Sequence, residues 1–147
     1  MKKISIIFTL CLLISSAFAQ DLSKYEKQTF VLGADTLKYR ILYPENFDAN
    51  KKYPVVLFLH GRGESGNDNQ KQLANGGKLF LSDDYRKNHP SIVIFPQCAA
   101  DSYWANVEIE TVSNKRFFNF VKGGEPTKAM NLVLKFTDEF FKKPFVD

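Results

Sequence analysis

Val55-Val56-Leu57-Phe58-Leu59-His60-Gly61-Arg62-Gly63-Glu64-Ser65-Gly66 decides the reading of this chain. Five apolar residues without polar alternation stop abruptly at His-Gly, and a Gly-rich polar loop follows. A run of this kind predicts a strand buried on both faces, as in a parallel sheet. The loop then leaves the carboxyl end of that strand, which is where open α/β sheets build their sites.

On the N-terminal side, Lys27 to Leu32 and Leu37 to Tyr43 read as two short strands. The turn Gly33-Ala34-Asp35 joins them into a hairpin, and Pro44 ends the second strand. Glu45 to Lys52 is a polar loop. On the C-terminal side, Asp68 to Ala74 predicts a short helix, with Ser65, Asn67 or Asp68 as its cap. Gly76-Gly77 breaks it, and Lys78 to Lys87 predicts a second helical segment. Ser91 to Phe95 is a further β-branched strand, closed by Pro96. Phe117, Phe118 and Phe120 suggest a packed loop or a small extra element in the weakly patterned stretch 97–124. A helix begins near Pro126, a residue suited to the first turn. Met130, Val133, Phe136, Thr137, Phe140 and Phe141 mark its apolar face, and Lys142-Lys143-Pro144 end it. The order hairpin, strand, helix, strand, helix predicts an α/β sheet with an antiparallel start.

The first nineteen residues stand outside this pattern. Lys2 and Lys3, the apolar stretch Ile4 to Ile14, and Ala17-Phe18-Ala19 form the three parts of an export signal, so residues 1–19 are read as a signal peptide. The apolar stretch is too short to span a membrane. Cys11 lacks the preceding small residue of a lipoprotein site, so no membrane anchor is expected. The predicted location is periplasmic or extracellular. Residues 20–147 are enough for one domain with a core. Loss of Lys2 and Lys3 lowers the net charge from +4 to +2, which points to no nucleic-acid partner. Cys98 is then the one remaining cysteine, so this is not a disulfide scaffold despite export. No His/Cys/Asp cluster has metal-ligand spacing, and no metal is expected.

The loop itself admits three readings. Gly61-Arg62-Gly63-Glu64-Ser65-Gly66 matches the dinucleotide pattern G-x-G-x-x-G, but Glu64 places an anion where pyrophosphate would sit. The next strand also ends in Phe95-Pro96, without the acid that would bind ribose. Ser65 as a nucleophile fails the elbow pattern G-x-S-x-G, because Asn67 stands in place of the last glycine. A turn or cap role suits Ser65 better. The third reading is an oxyanion loop, in which glycines let the backbone approach a substrate and aim N–H groups at a developing O⁻. A plain Gly-rich turn is the alternative to all three.

Three segments tip the balance toward the third. Tyr39-Arg40-Ile41-Leu42-Tyr43-Pro44, Tyr53 to Glu64, and Ile92-Val93-Ile94-Phe95-Pro96-Gln97-Cys98 with Trp104 resemble one family. It is the secreted bacterial α/β-hydrolases of the phospholipase/carboxylesterase type, which include predicted peptidases and polyhydroxybutyrate-depolymerase-like esterases. The resemblance runs from about Thr29 to Asp147. It implies the N-terminal portion of an α/β-hydrolase fold, with residues 20–147 as part of one domain. By position, it implies the Arg62 backbone N–H as an oxyanion-hole donor on a loop with Gly61. His60, Gly63 and Glu64 would shape that loop, and Trp104 would lie near the substrate. It implies an acyl-serine mechanism on a small-molecule or polymer-linked ester, without a cofactor.

The family pattern continues, after the last helix, with a strand, then G-x-S-x-G, then an Asp and a His. No G-x-S-x-G occurs in these 147 residues, and His60 and His89 are the two histidines. His60 sits in the oxyanion loop, and His89 precedes Pro90 with no candidate serine beside it. Nucleophile, acid and base are therefore expected outside this sequence, and the 147 residues alone are expected to be inactive. The alternative is a non-enzymatic secreted binding module, or a degenerate half-domain on a hydrolase scaffold. In the family's sheet order the third strand lies between the fourth and the fifth, so without a fifth strand Val55 to Leu59 becomes an open apolar edge prone to aggregation.

Overall fold

A computed structural model describes residues 21–147, and the proposed signal sequence lies outside the described residues. Strands β1 (Glu26–Leu32) and β2 (Asp35–Leu42) form the expected hairpin, with Gly33 at φ +59° in its turn. β3 spans Val55–Leu57 and β4 spans Ile92–Pro96. The sheet order is β1-β2-β4-β3, with β2 antiparallel and β3 parallel to β4. The antiparallel start feeding a parallel pair is the arrangement that the sequence order predicts.

β4 is the centre of the molecule, and every residue in it is buried. Ile92 and Ile94 face one side, where they pack with Leu37, Ile41 and the helix residues Leu132, Val133, Phe136 and Phe140. Val93 and Phe95 face the other, against Tyr25, Leu42, Leu73, Phe80 and Leu81. Both faces are covered, which is why its sequence shows no polar alternation.

β3 departs from its reading. It is three residues long and only half-buried, because it lies at the sheet edge. Val55 and Leu57 pack toward the helix face, Val56 and Phe58 toward the other, and Leu59 is exposed. On its outer side the chain after the last helix folds back: Tyr53 N–H donates to Phe145 O at 2.9 Å, and Asp147 N–H donates to Tyr53 O at 3.1 Å. This parallel contact of Tyr53 with Val146 stops short of β3 itself.

The segment between β3 and β4 holds less helix than expected. Lys71–Leu73 is a single 3₁₀ turn, with the Asp68 carboxylate accepting from the Gln70 and Lys71 N–H groups. Lys78 to Lys87 divides into a 3₁₀ turn, Leu79–Leu81, and the short helix α1 (Asp83–Asn88), capped by Ser82. Gly76 sits at φ +88°, and a Cβ there would come 2.8 Å from the Phe58 ring, so the break is also a close packing point.

Helix α2 (Lys128–Phe140) starts two residues after Pro126, with the Thr127 hydroxyl accepting from Met130 N–H. Ala129, Leu132, Val133, Phe136 and Phe140 are its buried residues. Phe141 was expected on this face and is instead exposed, because the helix has ended and the chain turns away.

Candidate functional site

The loop after β3 is held in place mainly by groups outside itself. The Phe58 N–H still donates to Ile94 O at 2.9 Å, so pairing with β4 continues one residue past the strand. His60 is buried. Its Nε2 accepts from Cys98 N–H at 2.9 Å, which leaves the ring proton on Nδ1, 2.6 Å from Gly61 O. The Trp104 indole N–H donates to His60 O at 2.9 Å, and the two rings meet edge to face at 5.3 Å. Both ring nitrogens of His60 are thus engaged in fixing the loop, and neither is placed to activate a nucleophile.

A 3₁₀ turn, Arg62–Glu64, follows, opened by Gly61 in extended conformation. Glu64 N–H closes it onto Gly61 O, and Ser65 N–H onto Arg62 O, both at 3.2 Å. The N–H groups of Arg62 and Gly63 donate to no acceptor among the described residues, and both residues are exposed. This is what the start of a helical turn leaves over. Glu64 Oε1 accepts from Asn75 Nδ2 at 2.5 Å, while its Oε2 lies 4.0 Å from His60 Nδ1 and would lie 3.2 Å from a Cβ on Gly61. The glycine keeps that carboxylate against the loop.

The Arg62 side chain, to which the sequence assigns no part, ties this loop to the one after β4. Its guanidinium donates to Ala100 O at 2.6 Å and Ser102 O at 2.8 Å, and lies 4.2 Å above the Tyr103 ring. Gln97, the first residue after β4, belongs to one of the family-like segments but carries no role in the sequence reading. It is buried; its Oε1 accepts from Asn69 N–H at 2.7 Å, and its Nε2 donates to Asp68 Oδ1 at 2.8 Å and Glu64 O at 3.3 Å. One amide therefore joins the loop after β3 to the 3₁₀ segment. Its signal was its place at a strand's carboxyl end. Arg40, near the end of β2, supports the same region from behind. Its buried guanidinium donates to Asn69 O, Tyr25 O and Gln70 Oε1, and burial pushes its pKa down.

Burial pushes the Cys98 thiol pKa up, against the opposing pull of a Ser65 hydrogen bond and the Arg62 charge. That is an inert thiol, and Ser65 is its partner rather than part of a nucleophile–base pair. His89 lies exposed at the end of α1, far from this loop in the sheet, with its N–H on Tyr85 O.

No family model matches the chain. A solved crystal structure of a thermostable esterase superposes with a TM-score of 0.68 at 28% identity, covering 86% of this chain and 32% of that one. The fold is the N-terminal portion of an α/β-hydrolase. Among curated proteins, the probable dipeptidyl-peptidase 5 of Aspergillus terreus is 25% identical over 107 residues, which is 73% of this chain and 13% of that protein. A 27-residue stretch is 59% identical to dipeptidyl-peptidase 5 of Aspergillus fumigatus, covering 18% of this chain and 4% of the relative. The chain thus spans a third or less of each of these proteins. Within the α/β-hydrolase fold, the 3₁₀ turn Arg62–Glu64 leaves the carboxyl end of a sheet strand, where such sheets carry their sites.

Proposed function

We propose that this chain is the N-terminal part of an exported serine hydrolase of carboxylesterase type, acting on esters through an acyl-serine intermediate. Nucleophile, acid and base lie outside these residues, and no cofactor takes part. The observation that carries the reading is the 3₁₀ turn after β3. It presents the exposed, unpartnered N–H groups of Arg62 and Gly63 on a backbone anchored by His60, Trp104 and Gln97. A tetrahedral intermediate needs donors of this kind, fixed before the reaction so that no reorganisation is required as the negative charge develops. The Arg62 N–H is assigned to the oxyanion; Gly61, Gly63 and Glu64 keep the turn in shape. Trp104 holds the loop through His60 O and stands at the edge of the same region.

The test starts with the reading frame beyond the codon for Asp147. Where it continues into a strand and G-x-S-x-G, the longer protein is expressed and assayed on p-nitrophenyl esters. Arg62→Pro removes the N–H at the first position of the turn, after a Gly61 whose extended backbone suits a following proline. Arg62→Ala keeps the N–H and loses the guanidinium. The expected result is a fall in kcat of about 10²–10³ for Arg62→Pro beyond that of Arg62→Ala. Equal rates for the two variants overturn the oxyanion assignment. A stop codon after Asp147 overturns the hydrolase reading in favour of a non-enzymatic binding module. The 147-residue chain itself is expected to hydrolyse p-nitrophenyl acetate no faster than its Ser65→Ala variant.

A further inference from the structure

Of the two expectations for this stretch, a packed loop or a small extra element, the second holds, and the element is an exposed hairpin. β5 (Val107–Val112) pairs antiparallel with β6 (Lys115–Phe120), and Ser113 and Asn114 both take positive φ in a two-residue turn. The hairpin is clamped at its root, where Asn106 Nδ2 donates to Gly123 O and Glu125 O, and Val121 N–H to Asn106 O. Beyond the root its side chains are exposed. The pairing sorts them by face: Val107 opposite Phe120 and Ile109 opposite Phe118 on one side, Glu108 opposite Asn119 and Glu110 opposite Phe117 on the other. Thr111 opposite Arg116 makes the tip of the first face polar; from its root to Ile109 and Phe118 the face is apolar and uncovered, with Phe120 73% and Phe118 48% exposed. Two strands alone are at best marginal in water, so this face gains from an occupant.

Its size selects the occupant. The apolar two-thirds of six-residue strands at about 3.4 Å per residue, two strands wide, offers about 130 Å², where a protein partner needs about 800 Å² per side. An alkyl chain or aryl group fits that area; a second protein does not. The root of the face adjoins the candidate site through Val107. Val107, at its root, lines a cavity of about 390 Å³ shared with Ser102, Tyr103 and Val121, and with Glu108 from the polar face. Ser102 O and the Tyr103 ring are the groups that hold the Arg62 guanidinium.

We infer that the apolar face of the β5–β6 hairpin, through Phe118 and Phe120, binds the apolar acyl or aryl part of the ester, selecting substrates with long chains over short ones. The choice of an ester as ligand rests on the hydrolase reading, but binding requires no nucleophile. The 147-residue chain can therefore be tested directly. Trp104 is its one tryptophan and adjoins the Tyr103 wall, so its fluorescence reports titration with ethyl butyrate and ethyl octanoate. Each fully buried methylene is worth up to about fourfold in affinity. The octanoate should bind at least about tenfold tighter. Phe118→Ser and Phe120→Ser should erase that advantage, while Phe117→Ser, equally exposed on the opposite face, should leave it intact. Equal affinity for the two esters overturns the inference, as does equal loss from Phe117→Ser. So does a dimer without ester that Phe118→Ser dissociates, since a second copy would then be the occupant. In the longer enzyme, hydrolysis with a chain-length preference unmoved by Phe118→Ser overturns this inference and leaves the hydrolase reading standing.

Discussion

β3 and β4 are written in the same alphabet and hold opposite places. Val55 to Leu59 and Ile92 to Phe95 are both unbroken apolar runs. β4 pairs on both edges and is covered on both faces, whereas among the described residues β3 pairs with β4 alone. An apolar run therefore reports that both faces of a strand are meant to be covered, and says nothing of how many neighbours its edges have. The difference also separates the two roles that meet in the candidate site. The central strand supplies the fixed frame: Gln97 and Cys98, directly after β4, hold the loop through Asn69 N–H and the His60 ring. The edge strand supplies the loop that is held.

Truncating one large side chain on each strand should give the widest separation between them. Phe95 is fully buried, with the rings of Phe58, Phe80 and Tyr25 at 4.7, 5.7 and 5.5 Å. Phe95→Ala should cost about 3–5 kcal/mol. Val56→Ala, on the same face of β3, should cost about 1 kcal/mol, since the side chain is smaller and already half-exposed. Urea unfolding followed by Trp104 fluorescence measures both. Similar costs would mean that β3 is buried in solution as its sequence suggests, with something covering its outer edge.

Local pattern carried the hairpin, β4 and α2: alternate residues Leu37, Tyr39 and Ile41 of β2 turn to the helix side, β4 is apolar throughout, and Val133, Phe136 and Phe140 keep the 3.6 spacing. It overstated helix between β3 and β4. There the segment is stabilised by long-range polar contacts, Arg40 to Asn69 O and Gln97 to Asp68, that no local spacing reveals. The stretch 107–120 was opaque for another reason. Its aromatic residues look like core, and only strand register shows that Phe118 and Phe120 share one exposed face while Phe117 takes the other. At the candidate site, the His-Gly loop was visible by its composition, although Gly61 takes an extended backbone and a Cβ on Gly63 would meet nothing, so the shape of the turn does not itself demand those glycines. The guanidinium of Arg62 on Ala100 O and Ser102 O was not, since carbonyl acceptors carry no sequence signature.

The free edge gives a second and smaller contrast. Leu59 is exposed just beyond β3, next to backbone groups that have no strand on their outer side among the described residues. We expect the edge to drive association, and Leu59→Lys to suppress it by placing a charge where a second strand would dock. Light scattering at rising concentration should show a delayed onset for the variant, with a stability change within about 0.5 kcal/mol. An unchanged onset would mean that the β5–β6 hairpin, not the sheet edge, nucleates association, and Phe120→Ser would then become the effective substitution.

The smallest effect tests the frame that β4 provides. N–H bonds from Lys71, the Gln97 amide and the Gln70 N–H together lower the Asp68 pKa from 3.8 to about 2. A carboxyl depressed in the folded state adds stability that is fully present above its unfolded value and is lost as pH falls through the folded one. The wild-type chain should therefore lose this contribution between about pH 4 and pH 2, while Asp68→Asn, which keeps an oxygen acceptor but cannot titrate, should not. The difference in midpoint between the two proteins, followed by urea unfolding across that range, should narrow as pH falls. A constant difference would mean that Asp68 is not bonded in solution to Gln97 and to the turn. The loop after β3 would then be held by His60, Arg62, Trp104 and the Gln97–Glu64 bond, without the link through Asp68 to the 3₁₀ segment.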